Sequence, residues 1–323
     1  MKARMKRWVV RLEDGARLAD VVACAGEDHS AISEGRVFIG SKRATTLDAK
    51  VRPGDEVRIG TRQDPTVQAA HVPILFAEDG ILACNKPAGI PTVPDHAGAA
   101  HSLVALVAEQ AKLRASDLRI TSRLDRDVSG VVLFATEDRT EARLRKARAE
   151  GRYARRYVAI AALRGDAAQN VALCKGFWTS AIGRGRDALH RAVAGPDAKP
   201  AETRWEIVAF AGGETRFALL AVAPITGRTH QIRVHASHAR MPLVGDRDYG
   251  GTGRITLDDG RVIALSRIAL HAARVTVSFG EGNVLVADAP IPAELARLWT
   301  LLGGAADAWD MAVSCDLDPA ASA

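Results

Sequence analysis

Cysteine is scarce and scattered. Its four residues, Cys24, Cys84, Cys174 and Cys315, form no Cys-x-x-Cys pair, so the chain offers neither a zinc ribbon nor a disulfide framework. Reduced thiols of a cytoplasmic protein are the expectation. Long hydrophobic runs are missing as well: stretches such as residues 158–163 are strand-sized, far below the roughly 20 residues that cross a bilayer. The basic start Met1-Lys2-Ala3-Arg4-Met5-Lys6-Arg7 meets Arg11, Glu13 and Asp14 before any apolar signal region develops. No glycine-rich phosphate loop is present, because Gly183-Arg184-Gly185-Arg186 lacks the lysine and the strand-to-helix setting. No nucleotide cofactor is therefore implied. No internal repeat is visible. Beyond Gly303 there is no Lys or Arg, while Asp307, Asp310, Asp316 and Asp318 remain, and residues 303–323 are expected to form a disordered tail.

What is present describes a soluble globular chain. Hydrophobic residues make up 47% and charged residues 25% of 323 residues, enough for one large domain and a small one. The net charge of +6 points weakly toward a polyanionic partner.

Residues 1–65 read as a small αβ module. Arg17-Leu18-Ala19-Asp20-Val21-Val22-Ala23 has helical spacing, and Ala31-Ile32-Ser33-Glu34-Gly35 reads as a helix end closed by glycine. Val37-Phe38-Ile39 reads as a short strand, and Pro53-Gly54-Asp55 as a turn into another at Glu56-Val57-Arg58-Ile59. Residues 61–71, polar and containing Pro65, read as a linker into a larger domain at 66–302. There, two apolar runs around Asp79-Gly80 form a hairpin signal. Leu103, Leu106, Val107 and Ala111 place an amphipathic helix in residues 101–113. Residues 137–151 read as a charged helix with acids at its start, where they suit the helix dipole. Residues 157–163, 202–210, 217–223 and 274–279 read as strands. Helices among many strands, without regular βαβ alternation, predict an α+β fold.

Chemistry concentrates in Ser122-Arg123-Leu124-Asp125-Arg126-Asp127-Val128-Ser129-Gly130, followed by the apolar run Val131-Val132-Leu133-Phe134-Ala135. The run predicts a buried strand. An acid between two arginines at its mouth favours the charged form, which suits a nucleophile or base. Four further segments follow in order around it. They are Asn85-Lys86-Pro87-Ala88-Gly89, Arg155-Arg156-Tyr157-Val158-Ala159, Thr226-Gly227-Arg228-Thr229-His230-Gln231-Ile232-Arg233-Val234-His235 with Pro242-Leu243-Val244-Gly245-Asp246 and Tyr249-Gly250 behind it, and Ala269-Leu270-His271-Ala272.

Together these resemble the RluA-type RNA pseudouridine synthases, whose central motif reads His-Arg-Leu-Asp-Arg-Asp-x-Ser-Gly. Two letters depart: Ser122 stands where the family usually has histidine, and Arg155 where it usually has lysine. The resemblance implies a pseudouridine synthase fold with a mixed, mainly antiparallel sheet flanked by helices and loops. The N-terminal module is similar to the alpha-L RNA-binding domain.

The same resemblance implies roles. Asp125 is the catalytic carboxylate, either as covalent nucleophile or as the base that starts glycal formation. Asp127 is its rival, on the opposite face if the segment is extended. Arg233 pairs with Asp125, although Arg228 could serve, because residues 231–235 read as a period-2 run. Tyr157 stacks on the target uracil, and Arg123 fills the space a flipped base leaves. Asn85, Lys86, Arg126, Arg155, Arg228 and His230 are expected at the substrate. Arg139, Arg143, Arg145, Lys146, Arg148, Arg152, Arg155 and Arg156 read as a phosphate-contacting surface. His230, His235 and His238 fit no zinc spacing, so no metal is expected. The implied activity is cofactor-free isomerisation of uridine in structured RNA, with large-subunit ribosomal RNA as the first expectation. Transfer RNA, or a catalytically silent RNA-binding role on the same scaffold, is the alternative. A monomer without membrane association is expected.

Overall fold

The apolar run behind Asp125 becomes a strand, Ser129–Ala135, in which every residue is buried. Each buried Val or Leu there contributes about 2 kcal/mol relative to exposure, so this strand anchors the loop that precedes it. The computed structural model describes residues 5–33, 36–40, 42–44, 46–60, 71–94, 100–165, 174–185, 187, 190–212, 217–257, 259–280 and 282–317. It divides into two compact units, residues 1–73 with 90–118, and residues 74–89 with 119–323.

In the first unit, strands β1 (Met5–Val9), β2 (Val37–Ile39), β3 (Lys42–Arg43) and β4 (Glu56–Gly60) form an antiparallel sheet in the order β1-β4-β2-β3. Helix α1 (Leu18–Cys24) buries Leu18, Val21 and Val22, which pack with Ile32, Val37, Val57 and Ile59. α2 is the short turn Ser30–Ser33. The helix and strands expected in residues 1–59 are thus present. Gly35 and the linker at 61–70 lie outside the described residues. Residues 90–118, which the sequence assigns to the larger domain, cluster instead with this unit. They carry α3 (Leu103–Gln110), started by Ser102 Oγ accepting the Ala105 N–H at 3.4 Å.

The second unit is built on one large sheet. β5 (Ile74–Glu78) and β6 (Ile81–Lys86) form the expected hairpin, and Asp79 and Gly80 both take positive φ, 49° and 73°, as a type I′ turn requires. Next come β7 (Arg119–Ile120), β8 (Ser129–Ala135), β9 (Tyr153–Ala162) and β10 (Lys175–Trp178). A small hairpin, β11 (Ile182–Arg184) with β12 (Arg191–Val193), precedes β13 (Thr203–Ala211) and β14 (Phe217–Pro224). A second, β15 (Arg254–Thr256) with β16 (Val262–Ala264), precedes β17 (Leu270–Ser278) and β18 (Val284–Asp288). Ten strands join in the order β10-β13-β14-β9-β17-β8-β6-β5, with β18 on β17 and β7 on β8. β8 and β17 run parallel, and the other described pairs of this sheet run antiparallel. At that parallel contact Gly130 has φ 121°, and a Cβ there would sit 2.2 Å from the Ala272 carbonyl oxygen, so only glycine lets the strands meet.

Helix α4 (Asp138–Ala149) packs Leu144 and Ala147 on Ile81, Val131, Leu133, Val275 and Val277. A second apolar cluster sets Val158, Ile160, Leu219 and Ala221 against Trp299 of α6 (Ala293–Leu301) and Trp309 of α7 (Ala308–Ser314). α7 corrects the expected disordered tail. Its Asp310 faces outward, while Ala308, Trp309 and Ala312, at i, i+1 and i+4, bury together with Leu317. Residues 318–323 lie outside the described residues. A second correction concerns residues 231–235, which read as a period-2 run but begin helix α5 (Gln231–His238).

Candidate active site

Asp125 occupies a turn just before β8. The Val128 N–H donates to the Asp125 carbonyl at 3.2 Å, so residues 125–128 are not extended and strand alternation does not separate Asp125 from Asp127. Partners separate them. The Asp125 carboxylate meets Arg233 and His230, whereas the Asp127 charge acts on Arg267, and both carboxylates act on Lys86.

Lys86, expected at the substrate, is fully buried at the end of β6. Its Nζ donates to the carbonyls of Pro87 at 2.9 Å and Arg126 at 3.0 Å. Burial pushes its pKa down to about 7, assisted by Arg267 and opposed by Asp125 and Asp127. Lys86 therefore holds the Asp125–Arg126 turn from behind. The Arg126 carbonyl also accepts the Gly89 N–H at 2.8 Å, tying the Asn85-Lys86-Pro87-Ala88-Gly89 segment to the same turn. Asn85 itself pairs with Val131 within the sheet.

Arg233 settles the choice of arginine. Helix α5 carries it, 6% exposed, to Asp125, where Nη1 donates to Oδ2 at 3.1 Å. Its other edge grips buried Asp246 in a fork, Nε to Oδ2 and Nη2 to Oδ1, both at 2.8 Å. Nη2 also reaches Asp248 at 3.3 Å. Burial opposes the guanidinium charge, but the hydrogen bonds and charge of Asp246, then of Asp125, outweigh it and raise its pKa. The fork leaves the guanidinium little rotational freedom. Arg228 sits elsewhere, exposed, donating through Nε to the Pro200 carbonyl at 3.0 Å.

His230 starts α5 in a left-handed conformation, φ 57° and ψ 21°, which costs about 1 kcal/mol or more for a non-glycine residue. The twist aims Nε2 at Asp125 Oδ2, 3.8 Å away, and puts Nδ1 2.7 Å from the Tyr249 hydroxyl. Burial lowers its pKa, against the pull of Asp125. The loop before α5 is fastened by Gln231. Its Oε1 accepts Thr226 Oγ1 and the Arg228 N–H, and its Nε2 donates to the Glu202 carbonyl and Thr203 Oγ1. His235 completes this set, bonded to Thr203 and to the Ser180 carbonyl. The two imidazoles are thus occupied by protein partners. Among the described residues no group of three or more His, Cys, Asp or Glu is placed to hold a metal ion.

Tyr157 lies in β9, buried, and burial raises its phenol pKa, with Asp125 among the charges acting on it. Arg155, expected at the substrate, instead donates to the Pro224 and Thr226 carbonyls at 3.1 and 2.8 Å, bracing the loop that leads to α5. Arg123 is exposed and has no hydrogen-bond or ion-pair partner among the described residues. Ser122 Oγ lies 3.4 Å from the Tyr153 hydroxyl. Several cations of the expected basic surface have internal employment. Arg145 pairs with Glu141, Arg152 with Glu150, Arg148 donates to the Thr121 carbonyl, and Arg143 covers the Phe279 ring.

Sequence reasoning gave no role to Asp246, Asp248 and Tyr249, although the segments that hold Asp246 and Tyr249 were matched to the motif. A carboxylate and a phenol among small residues carry no periodic signal, and only the fold of the Gly245–Gly251 turn brings them to Arg233.

Known proteins share this arrangement of segments. Residues 80–238 match the family model described as RNA pseudouridylate synthase. The "Uncharacterized RNA pseudouridine synthase YhcT" of Bacillus subtilis (strain 168) is 32% identical over 77% of this chain and 79% of its own. "Ribosomal large subunit pseudouridine synthase C" of Escherichia coli (strain K12) is 31% identical over 82% of this chain and 84% of its own. Among solved structures, "Human RNA Pseudouridylate Synthase Domain Containing 1" superimposes with a TM-score of 0.58 at 21% identity, covering 80% of this chain and 99% of that one. Such a likeness in backbone supports the fold, and the relatives at 31–32% identity along most of both chains carry the rest: the chain belongs to the RNA pseudouridine synthase family of isomerases.

Proposed function

We propose that this chain isomerises uridine to pseudouridine in large-subunit ribosomal RNA, with Asp125 as the reacting carboxylate. The observation that carries the proposal is the Arg233–Asp125 contact at 3.1 Å. It is made by an arginine whose remaining edge is locked on buried Asp246, beside the buried phenol of Tyr157. The reaction breaks the bond between ribose C1′ and uracil N1, turns the base and closes a bond from C1′ to C5. The C5 proton then leaves to solvent, and N1, freed from the ribose, takes one up, so that the product is an isomer of the substrate. Asp125, 27% exposed, is open enough to meet a ribose flipped out of its helix. Tyr157 supplies an apolar wall for the detached uracil, which must not diffuse away while it turns. Arg123, exposed and unengaged among the described residues, is suited to enter the stack that the base vacates.

The choice of large-subunit ribosomal RNA follows the relatives whose names state that substrate. The N-terminal unit is read as an additional RNA-binding module, similar to an alpha-L domain. The test is a pseudouridine map of ribosomal and transfer RNA from a strain lacking the gene, complemented with wild type or with Asp125→Asn. Loss of one or more large-subunit sites, restored by wild type and not by the variant, is expected. Sites lost from transfer RNA alone would move the substrate. Sites restored by Asp125→Asn would remove Asp125 from the chemistry.

A further inference from the structure

The geometry points to Tyr249 as a positioning residue that serves both groups facing Asp125: it holds His230 in the tautomer whose Nε2–H is aimed at the carboxylate, and it braces the Arg233 guanidinium. The inference rests on Asp125 as the reacting group.

The tautomer follows from counting protons. The Tyr249 hydroxyl accepts the backbone N–H of Arg191 at 2.9 Å and lies 2.7 Å from His230 Nδ1. Once its oxygen has taken that N–H, its own proton needs an acceptor, and Nδ1 is the one in reach. Nδ1 then carries no hydrogen, so the imidazole proton resides on Nε2, 3.8 Å from Asp125 Oδ2. Contacts of this kind are commonly long before substrate binds and tighten afterwards. The charged groups facing His230 are Asp125 from the turn before β8, Arg233 on its own helix, Asp246 from the turn after α5, and Arg191 on β12.

The same ring supports the other donor. Arg233 Cζ stands 4.8 Å over the Tyr249 ring centroid, and the His230 ring meets it edge-on at 5.6 Å. Both residues that contact Asp125 thus lean on one side chain. That side chain is in turn bound through Arg191 to the β11–β12 hairpin, whose His190 ring also packs edge-on against it at 6.1 Å. The left-handed backbone of His230 gains a purpose in this arrangement, because it is what lets one imidazole reach Tyr249 and Asp125 at once.

Tyr249→Phe keeps the ring under Arg233 and removes only the hydroxyl. Its activity is read as tritium release from total RNA labelled at uridine C5, prepared from a strain lacking the gene. A fall in kcat of about tenfold, the scale of one lost hydrogen bond, is expected, with KM unchanged within about twofold. The His230 imidazole, followed by NMR, should also protonate at higher pH, because Nδ1 without its donor takes up a proton more readily. His230→Ala should reproduce the fall, and the double variant should fall no further. Long-range nitrogen NMR of the imidazoles gives a readout independent of substrate: Nε2–H for His230 in the wild type, lost in Tyr249→Phe. A wild-type kcat and His230 titration in Tyr249→Phe, additive losses in the double variant, or an Nδ1–H tautomer in the wild type would each overturn the inference. Asp125→Asn, run alongside, separates the two readings. If it is inactive while Tyr249→Phe is normal, only the role of Tyr249 fails; if it is active, the reading of Asp125 fails first.

Discussion

The two sides of Asp125 are built on opposite plans. On the α5 side, Arg233 is shared by Asp125, Asp246 and Asp248 and lies over Tyr249, so the guanidinium has one available orientation. On the loop side, Arg123 is exposed with no described partner, and the turn that carries Asp125 two residues later is fastened from behind, where the Arg126 carbonyl accepts Lys86 and the Gly89 N–H. The difference teaches which parts are set before RNA arrives. Groups that act on the reacting bond gain from being fixed in advance, since no reorganisation is then needed in the transition state. A group that must follow RNA shape gains from being unfixed.

The sharpest test of the fixed side is Arg233→Lys. An ammonium cannot bridge Asp246 and Asp125 with parallel hydrogen bonds, and a fall in kcat of about a hundredfold is expected in the tritium-release assay. Equal activity would show that charge alone is needed and that the fork has no function.

The next largest effect concerns stability at the parallel contact of β8 with β17. His271 is fully buried between Ser129, whose Oγ lies 2.7 Å from Nδ1, and the Ala289 carbonyl at 3.3 Å from Nε2. Burial pushes its pKa down to about 4, below the ordinary 6.5. Between those values the unfolded chain binds a proton that the folded chain does not. Stability therefore rises with pH through that window and is lost as pH falls from 6.5 toward 4, by up to about 3 kcal/mol. His271→Gln should remove this component. Urea unfolding of wild type and variant at pH 4.5 and 7 checks it, and a parallel pH dependence in both proteins would refute it.

On the loop side, Arg123→Ala should lower kcat/KM about tenfold, the scale of a compensating contact for a flipped base. It should leave the melting temperature unchanged, because no described interaction is lost. A destabilised variant would erase the contrast between the two sides. The smallest effect is expected at Arg145, which is exposed and already paired with Glu141 at 2.7 Å. Arg145→Ala should change RNA affinity less than about twofold at 0.15 M salt, since exposed pairs contribute little. A filter-binding titration measures it.

How much was legible in the sequence follows the same division. The β8 strand, the Asp79-Gly80 hairpin and the charged α4 helix are local patterns, set by apolar periodicity and turn chemistry, and the structure contains them. Asp125, Tyr157 and Arg233 were found through motif spacing, and the structure brings Arg233 to Asp125. Residues 231–235 misled because Ile232 and Val234 alternate with polar neighbours that are themselves buried. Gln231, Arg233 and His235 satisfy their polar atoms inside the protein, so a polar letter did not mean a solvent-facing one. Lys86 and Arg155 show the same thing: each is a cation in a motif, and each donates to backbone carbonyls inside the protein. The tail misled because its aspartates stand out without a Lys or Arg among them, while Ala308, Trp309, Ala312 and Leu317 decide its burial.

The parallel contact of β8 with β17 also has a consequence in time. β17 lies between two half-sheets, β5, β6 and β8 on one flank and β9, β14, β13 and β10 on the other. Asp125 lies in the first half, just before β8, and Arg233 follows the second, and Ser129 meets His271 across 142 residues of chain. A ribosome making this protein releases both halves before the strand that joins them. Until Leu270–Ser278 emerges, each half holds an open edge and the carboxylate has no arginine. Nascent chains stalled before residue 270 should therefore carry neither activity nor a closed sheet, and the enzyme becomes competent only near the end of its own synthesis.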